Sequence, residues 1–192
     1  MNIPENIKKI QLEMDILSHD KSTIKERVNR YLEIDHQGII GNHYFAKASS
    51  ECLYLYRDGY FISAVMMSHA INEGIIKFVA DRDNISRKRG NGNTKTIKET
   101  INDLQDKNVI SDNCAESSKK IWCSFRNDIH HMNPKVSGID FKALAKNNLK
   151  YLSVIEKEIF DYDIKNGKLS PRYPKYWDKN KDGTTTVDLR LE

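Results

Sequence analysis

The sequence predicts an all-α fold: an antiparallel helical bundle with extra N-terminal helices and an extended C-terminal tail. Three observations point that way. Only four prolines and nine glycines interrupt 192 residues, so few positions force the chain out of a helix. Apolar residues recur three and four apart through most of the chain, the spacing of one helix face. The chain is 39% hydrophobic and 30% charged, a balance that suits amphipathic helices around one core.

Residues 4–17 place Ile7, Ile10, Met14 and Leu17 at helical spacing, with Pro4 suited to a first turn. Ser18-His19-Asp20 reads as a break, and Ser22 or Thr23 as the cap of a second helix running to about Ile34. Gly38 and Gly41 mark a loop. Residues 1–42 are therefore expected to form a helical extension packed on the bundle, residues 43–165 the bundle, and residues 166–192 the tail.

Within the bundle, residues 43–56 form a helix carrying Phe45, Ala48, Leu53 and Tyr56, and Arg57-Asp58-Gly59 turns the chain. Residues 60–80 are apolar nearly all round and predict the buried central helix. On it, His69 and Glu73 stand one turn apart and need partners if buried. His69 reads as a satisfied interior histidine. Helices follow over 94–107, 113–132 and 140–163, the second of these capped by Ser111-Asp112. The tail holds an aromatic and basic run, Tyr173 to Trp177, and a short strand candidate at Thr184–Val187. Asp178-Lys179-Asn180-Lys181-Asp182-Gly183 imitates the start of a calcium loop, but the twelfth position is Leu189, so a turn is the reading.

Net charge is +4, and its placement says more than its size. Residues 82–98 hold Arg82, Arg87, Lys88, Arg89, Lys95 and Lys98 against Asp83 alone. Arg87, Lys88 and Arg89 are the candidate contacts to an RNA backbone. Cys52, Cys114 and Cys123 are odd in number and lack metal-ligand spacing, which fits unpaired thiols in a reducing compartment. The N-terminus has no signal-peptide pattern, and the longest apolar stretch free of charge spans only residues 59–72. A cytoplasmic location with no membrane span is expected. No cofactor or metal motif is present.

The densest chemistry lies in Phe125-Arg126-Asn127-Asp128-Ile129-His130-His131-Met132-Asn133-Pro134. RNA can be cut by its own 2′-hydroxyl if one group takes that proton, another protonates the leaving oxygen, and a cation holds the phosphate. Histidine and arginine supply these functions. Arg126-Asn127-x-x-x-His131 resembles the R-x(4–6)-H signature of HEPN domains. The order of elements over residues 43–162 is similar to bacterial HEPN proteins: an apolar helix with an embedded acid, a basic loop, a helix, then the motif helix. Asn133 stands where one toxin branch carries tyrosine.

The resemblance implies a helical bundle that dimerises around the motif. It implies a metal-independent endoribonuclease in antiviral defence, abortive infection or a toxin–antitoxin pair, with an antitoxin or other defence protein as partner. Arg126 matches the motif arginine, Asn127 the polar position after it, and His131 the histidine. Glu73 matches the helix-borne acid that orients the arginine. Helix geometry alone gives a different choice: His130 lies about 40° round from Arg126 and His131 about 140°. His131 is the expected catalytic histidine and His130 its helper. The alternatives are a non-catalytic RNA- or nucleotide-binding HEPN module and a structural dimerisation domain.

Overall fold

A computed structural model describes residues 5–190. The Pro4 first turn and the last two residues lie outside that range. The described chain is predominantly helical, with two small antiparallel sheets added. In order come α1 (Glu5–Leu32), β1 (Ile39–Gly41), α2 (Ala46–Asp58), α3 (Phe61–Arg82), α4 (Ile97–Asp106) and α5 (Asp112–Trp122). Then follow α6 (Arg126–His130), a 3-10 turn (Pro134–Gly138), α7 (Phe141–Ile159), β2 (Tyr162–Lys165), β3 (Lys168–Pro171), a second 3-10 turn (Pro174–Tyr176) and β4 (Val187–Leu189).

The central helix is α3, as its composition requires. It packs against α2, α7, α5 and α4, and Val65, Ile71, Ile75, Ile76 and Val79 are buried along it. Gly74 lets the Phe45 and Tyr44 rings lie against the helix, with Phe45 atoms 3.5 Å from where a Cβ would sit. Gly59 ends α2 in the left-handed region (φ 92°), which glycine enters without steric cost. From there the chain reverses into α3.

Local signals set the start of α4 and α5. Thr96 and Glu99 form a reciprocal capping box. Arg89 and the Thr96 amide and hydroxyl hold the Glu99 carboxyl far down, at about 2. Thr96→Ala is expected to cost about 1 kcal/mol, read as a fall in the denaturation midpoint at unchanged slope. Ser111 caps α5 by accepting from the Cys114 amide, and its own amide and hydroxyl both donate to Glu158 on α7.

Three expectations are corrected. The N-terminal region is one continuous helix, not two. Ser22 and Thr23 donate their hydroxyls back to the His19 carbonyl inside the helix instead of capping a new one. Nor does that region pack wholly on the bundle: residues 5–22 are all exposed, and α1 meets α2 only in its C-terminal part. The expected helix over 113–132 is broken in two at residues 123–125.

The tail is more than a laid-on segment. β2 and β3 form a hairpin, and β4 returns to pair with β1 in register Ile39 to Leu189. Tyr176 and Trp177 are buried against Phe78 and Phe160. The Tyr176 hydroxyl donates to Asp83 at 2.7 Å. These aromatics are thus packing residues. Residues 178–183 form a turn closed by Asn180 and Thr184, with Asp178 paired to Arg82 and His43.

Candidate functional site

The site is built where α5 fails to continue. Ser124 is buried, and its hydroxyl donates to the Ile121 carbonyl at 2.6 Å, competing with the helical ladder. The same oxygen accepts from Asn148 Nδ2 on α7 at 3.1 Å and meets His69 Nε2 on α3 at 2.8 Å. Three elements therefore converge on one hydroxyl. Phe125 then takes a left-handed conformation (φ 57°, ψ 22°), uncommon for a residue with a side chain. That reversal sets the direction of α6 and presents Arg126 at its first position.

Arg126 is clamped. Its Nη2 donates to Glu73 Oε2 at 2.9 Å, and its guanidinium lies 4.3 Å from the centre of the Trp122 ring. Lys77 holds the other oxygen of Glu73 at 2.6 Å. The three groups form a Lys–Glu–Arg triad with one net positive charge. Arg126 also divides two clefts. One, of about 310 Å³, is lined by Trp122, Cys123, Phe125, Asn127 and Asp128. The other, of about 330 Å³, is lined by Tyr44, His69, Glu73, Gly74, Lys77 and His130.

The two adjacent histidines face differently. His130, one turn after Arg126, lines the Glu73 cleft, and its ring stacks 6.2 Å from that of His69. His131 caps the C-terminus of α6, is exposed, and lines neither cleft. Asn127 precedes His131 by one turn and is likewise exposed. Within one chain, then, the histidine that shares a cleft with Arg126 is His130. Of the expected companions of Arg126, Asn127 lines the other cleft beside it, and His131 lies outside both. Asn133 closes the segment by donating to Asp128 at 2.9 Å, and Pro134 starts the 3-10 turn.

His69 is an interior histidine, 2% exposed. Ser124 has one hydroxyl hydrogen, and it is committed to Ile121, so His69 must donate through Nε2. Its Nδ1 is then a bare acceptor, buried without a partner. Burial first, and then the charges of His130 and Arg126, lower its pKa to about 4. The unfolded chain binds this proton near pH 6.5 and the folded chain does not. Its contribution to stability is therefore full above pH 6.5 and declines as pH falls toward 4. Acidification across that window is expected to remove up to about 3 kcal/mol through this group. Denaturation midpoints measured from pH 7 to 4 should show a slope that His69→Gln largely removes.

The basic loop is less positive than its sequence. Arg87 pairs with Asp81 at 2.9 Å, Arg89 with Glu99 at 2.8 Å, and Lys95 with Asp103 at 2.7 Å. Arg82 pairs with Asp178. The acids lie just outside the basic window or far along the chain, so a window count misses them. Lys88 sits in a small hairpin bridged to Thr94. The sequence reading also missed Lys77, Trp122 and Ser124 as parts of the site. Lys77 and Trp122 could have been found one turn from Glu73 and Arg126; Ser124 had no such signal.

Among the described residues no helix is long and apolar enough to cross a membrane. Compared with known proteins, the chain matches no family model, no curated sequence and no solved structure.

Proposed function

We propose that the chain is a metal-independent endoribonuclease of HEPN type, acting as a homodimer in antiviral defence or a toxin–antitoxin or abortive-infection system. The observation that carries this reading is the clamped Arg126 with His130 one turn later on the same cleft. A phosphate oxygen approaching Arg126 meets a guanidinium already oriented by Glu73 and Trp122, so little side-chain entropy is lost on binding. His130, on the rim of that cleft, is placed to exchange a proton with the reacting hydroxyl or the leaving oxygen. The 2′-hydroxyl attacks its own phosphate and loses its proton, and the 5′-oxygen leaves with one. The products are a 2′,3′-cyclic phosphate and a 5′-hydroxyl.

Asn127 and His131 do not line this cleft, and in this reading they complete the site of a second copy. The lysines and arginines of residues 82–98 follow the RNA backbone, with Lys88 and Lys98 carrying no ion pair among the described residues. The test is RNA incubated with purified protein in EDTA, beside Arg126→Ala, His130→Ala and His131→Ala. Cleavage unchanged in all three variants defeats the proposal. Mixing Arg126→Ala with His131→Ala chains should recover activity if the two residues act across the dimer.

A second reading is a non-catalytic RNA- or nucleotide-binding module. It is favoured by the full pairing of Glu73 with both Lys77 and Arg126, and by a buried histidine that stays neutral at pH 7. It expects salt-sensitive RNA binding with no product in any condition.

A further inference from the structure

The first half of α1 is a helix with an apolar stripe, and among the described residues nothing from the rest of the chain covers it. Ile7, Ile10, Met14 and Leu17 are 51%, 55%, 61% and 59% exposed. A solitary helix of this kind is marginal in water, since most helical stability in proteins comes from packing an apolar face. The stripe has a definite period. Ile7, Ile10, Met14, Leu17, Lys21, Ile24, Val28 and Tyr31 follow one another at alternating steps of three and four. That is the 3.5-residue repeat of a coiled-coil seam, with Ile7, Met14, Lys21 and Val28 at a and the others at d. Ordinary bundle helices follow 3.6 and drift off such a seam.

We propose that α1 pairs with α1 of a second copy of this chain, antiparallel, along this seam. The lower half of the seam supports the choice of occupant. Ile24, Val28, Tyr31 and Leu32, with Arg27 and Arg57, line a groove of about 320 Å³ where α1 meets α2. It lies open, as the free half of the helix does, with Ile24 61% and Val28 50% exposed. Antiparallel helices place each a opposite a d. Ile7 then meets Tyr31 of the second copy, Ile10 meets Val28, Met14 meets Ile24 and Leu17 meets Lys21. The free half of each helix fills the groove of the other, so each incomplete surface is covered by its complement.

Charge favours the same direction. In a parallel pair the two Lys21 ammonium groups would face each other inside the seam. Antiparallel, Lys21 lays its aliphatic stem along Leu17 of the second copy and its charge reaches the rim. The flanking positions bring Glu13 to Arg27 of the second copy, and Gln11 to Lys25. Arg27 is held at the groove edge by Asp58 at 2.7 Å. The two Asp20 side chains approach near the dyad, each next to a Lys21. The overlap spans about 36 Å and sets the two bodies at opposite ends of the pair. This interface is separate from the Arg126 surface and stands whether or not the chain cuts RNA.

Disulfide trapping decides it, in full-length protein with the exposed Cys123 replaced by serine. Met14→Cys and Ile24→Cys chains mixed under oxidised glutathione should give a cross-linked dimer, while Met14→Cys alone should not. Self-linking of Met14→Cys would show a parallel pair, and no cross-link in the mixture would show that the seam is unpaired; either result overturns the proposal. Leu17→Asp changes an exposed residue, so the body should remain folded. It should weaken self-association through α1 by at least about 100-fold and abolish the mixed cross-link. Retention of that cross-link in Leu17→Asp would also overturn it.

Discussion

Replacing Arg190 by alanine is expected to cost about 3–5 kcal/mol of folding stability, because it strands a buried carboxylate. Arg190 reaches from the end of β4 into the bundle, where its Nη1 and Nη2 donate to the two oxygens of Glu156 at 2.6 and 3.0 Å. Both side chains are 2% exposed. Burial works against the charge on Arg190, and the Glu156 carboxylate more than reverses this, so its pKa ends above the ordinary value. Ser49 also donates to Glu156, and the Arg190 Nε–H meets the Ser50 hydroxyl at 3.3 Å. Glu156 thus has every oxygen committed while Arg190 is present.

With the guanidinium gone, Glu156 must either stay charged with only the Ser49 hydroxyl on it and no counter-ion, or take up a proton, and each costs free energy. For a chain of this length the loss corresponds to a fall of about 6–20 °C in Tm. Arg190→Met together with Glu156→Gln should be milder than Arg190→Ala alone, because no buried charge is left over. Arg172→Ala is the control. Arg172 pairs with Asp161 at the surface, and its loss should change stability by less than about 1 kcal/mol. If Arg190→Ala behaves like Arg172→Ala, the buried pair is not what fastens the tail.

The second large effect is expected at His130. On the endoribonuclease reading, His130→Ala should lower RNA cleavage by about 10²–10⁴-fold, the usual scale for a general acid or base. The fold should be unaffected, since the side chain is exposed at the cleft rim. His131→Ala should act differently. It lines neither cleft beside Arg126, so its effect depends on a second chain and should respond to mixing with Arg126→Ala protein. Single-turnover cleavage with end-labelled RNA, with and without added Arg126→Ala protein, separates the two. If His130→Ala retains full activity, the shared cleft is not the reaction centre.

Much of the helical framework is legible in the sequence. α3 followed from a nearly unbroken apolar run, the start of α5 from Ser111, and the reversal after α2 from Gly59, whereas the Thr96–Glu99 cap that starts α4 three residues later than expected was not read. Each of these is a local signal, complete within one turn of chain. Glu73 and Arg126 were legible as types, and their meeting was expected from the resemblance; the 2.9 Å contact itself needed α3 and α6 to pack.

What failed to show in the sequence shares one cause. Ser18-His19-Asp20 looked like a break, yet Asp20 pairs with Arg27 of the same helix, and the hydroxyls of Ser22 and Thr23 are satisfied within it. Ser124 looked like one more helical residue, yet His69 and Asn148, 55 positions before it and 24 after it, converge on its hydroxyl. The basic loop looked like a charge patch, yet Asp178 lies 96 positions from Arg82. Short-range hydrogen bonds and apolar spacing are written in neighbouring residues, and the sequence by itself determined those. Where helix α5 stops, which histidine joins Arg126, and which charges stay unpaired were decided by groups distant in the chain. Only the tertiary structure brings them within bonding distance.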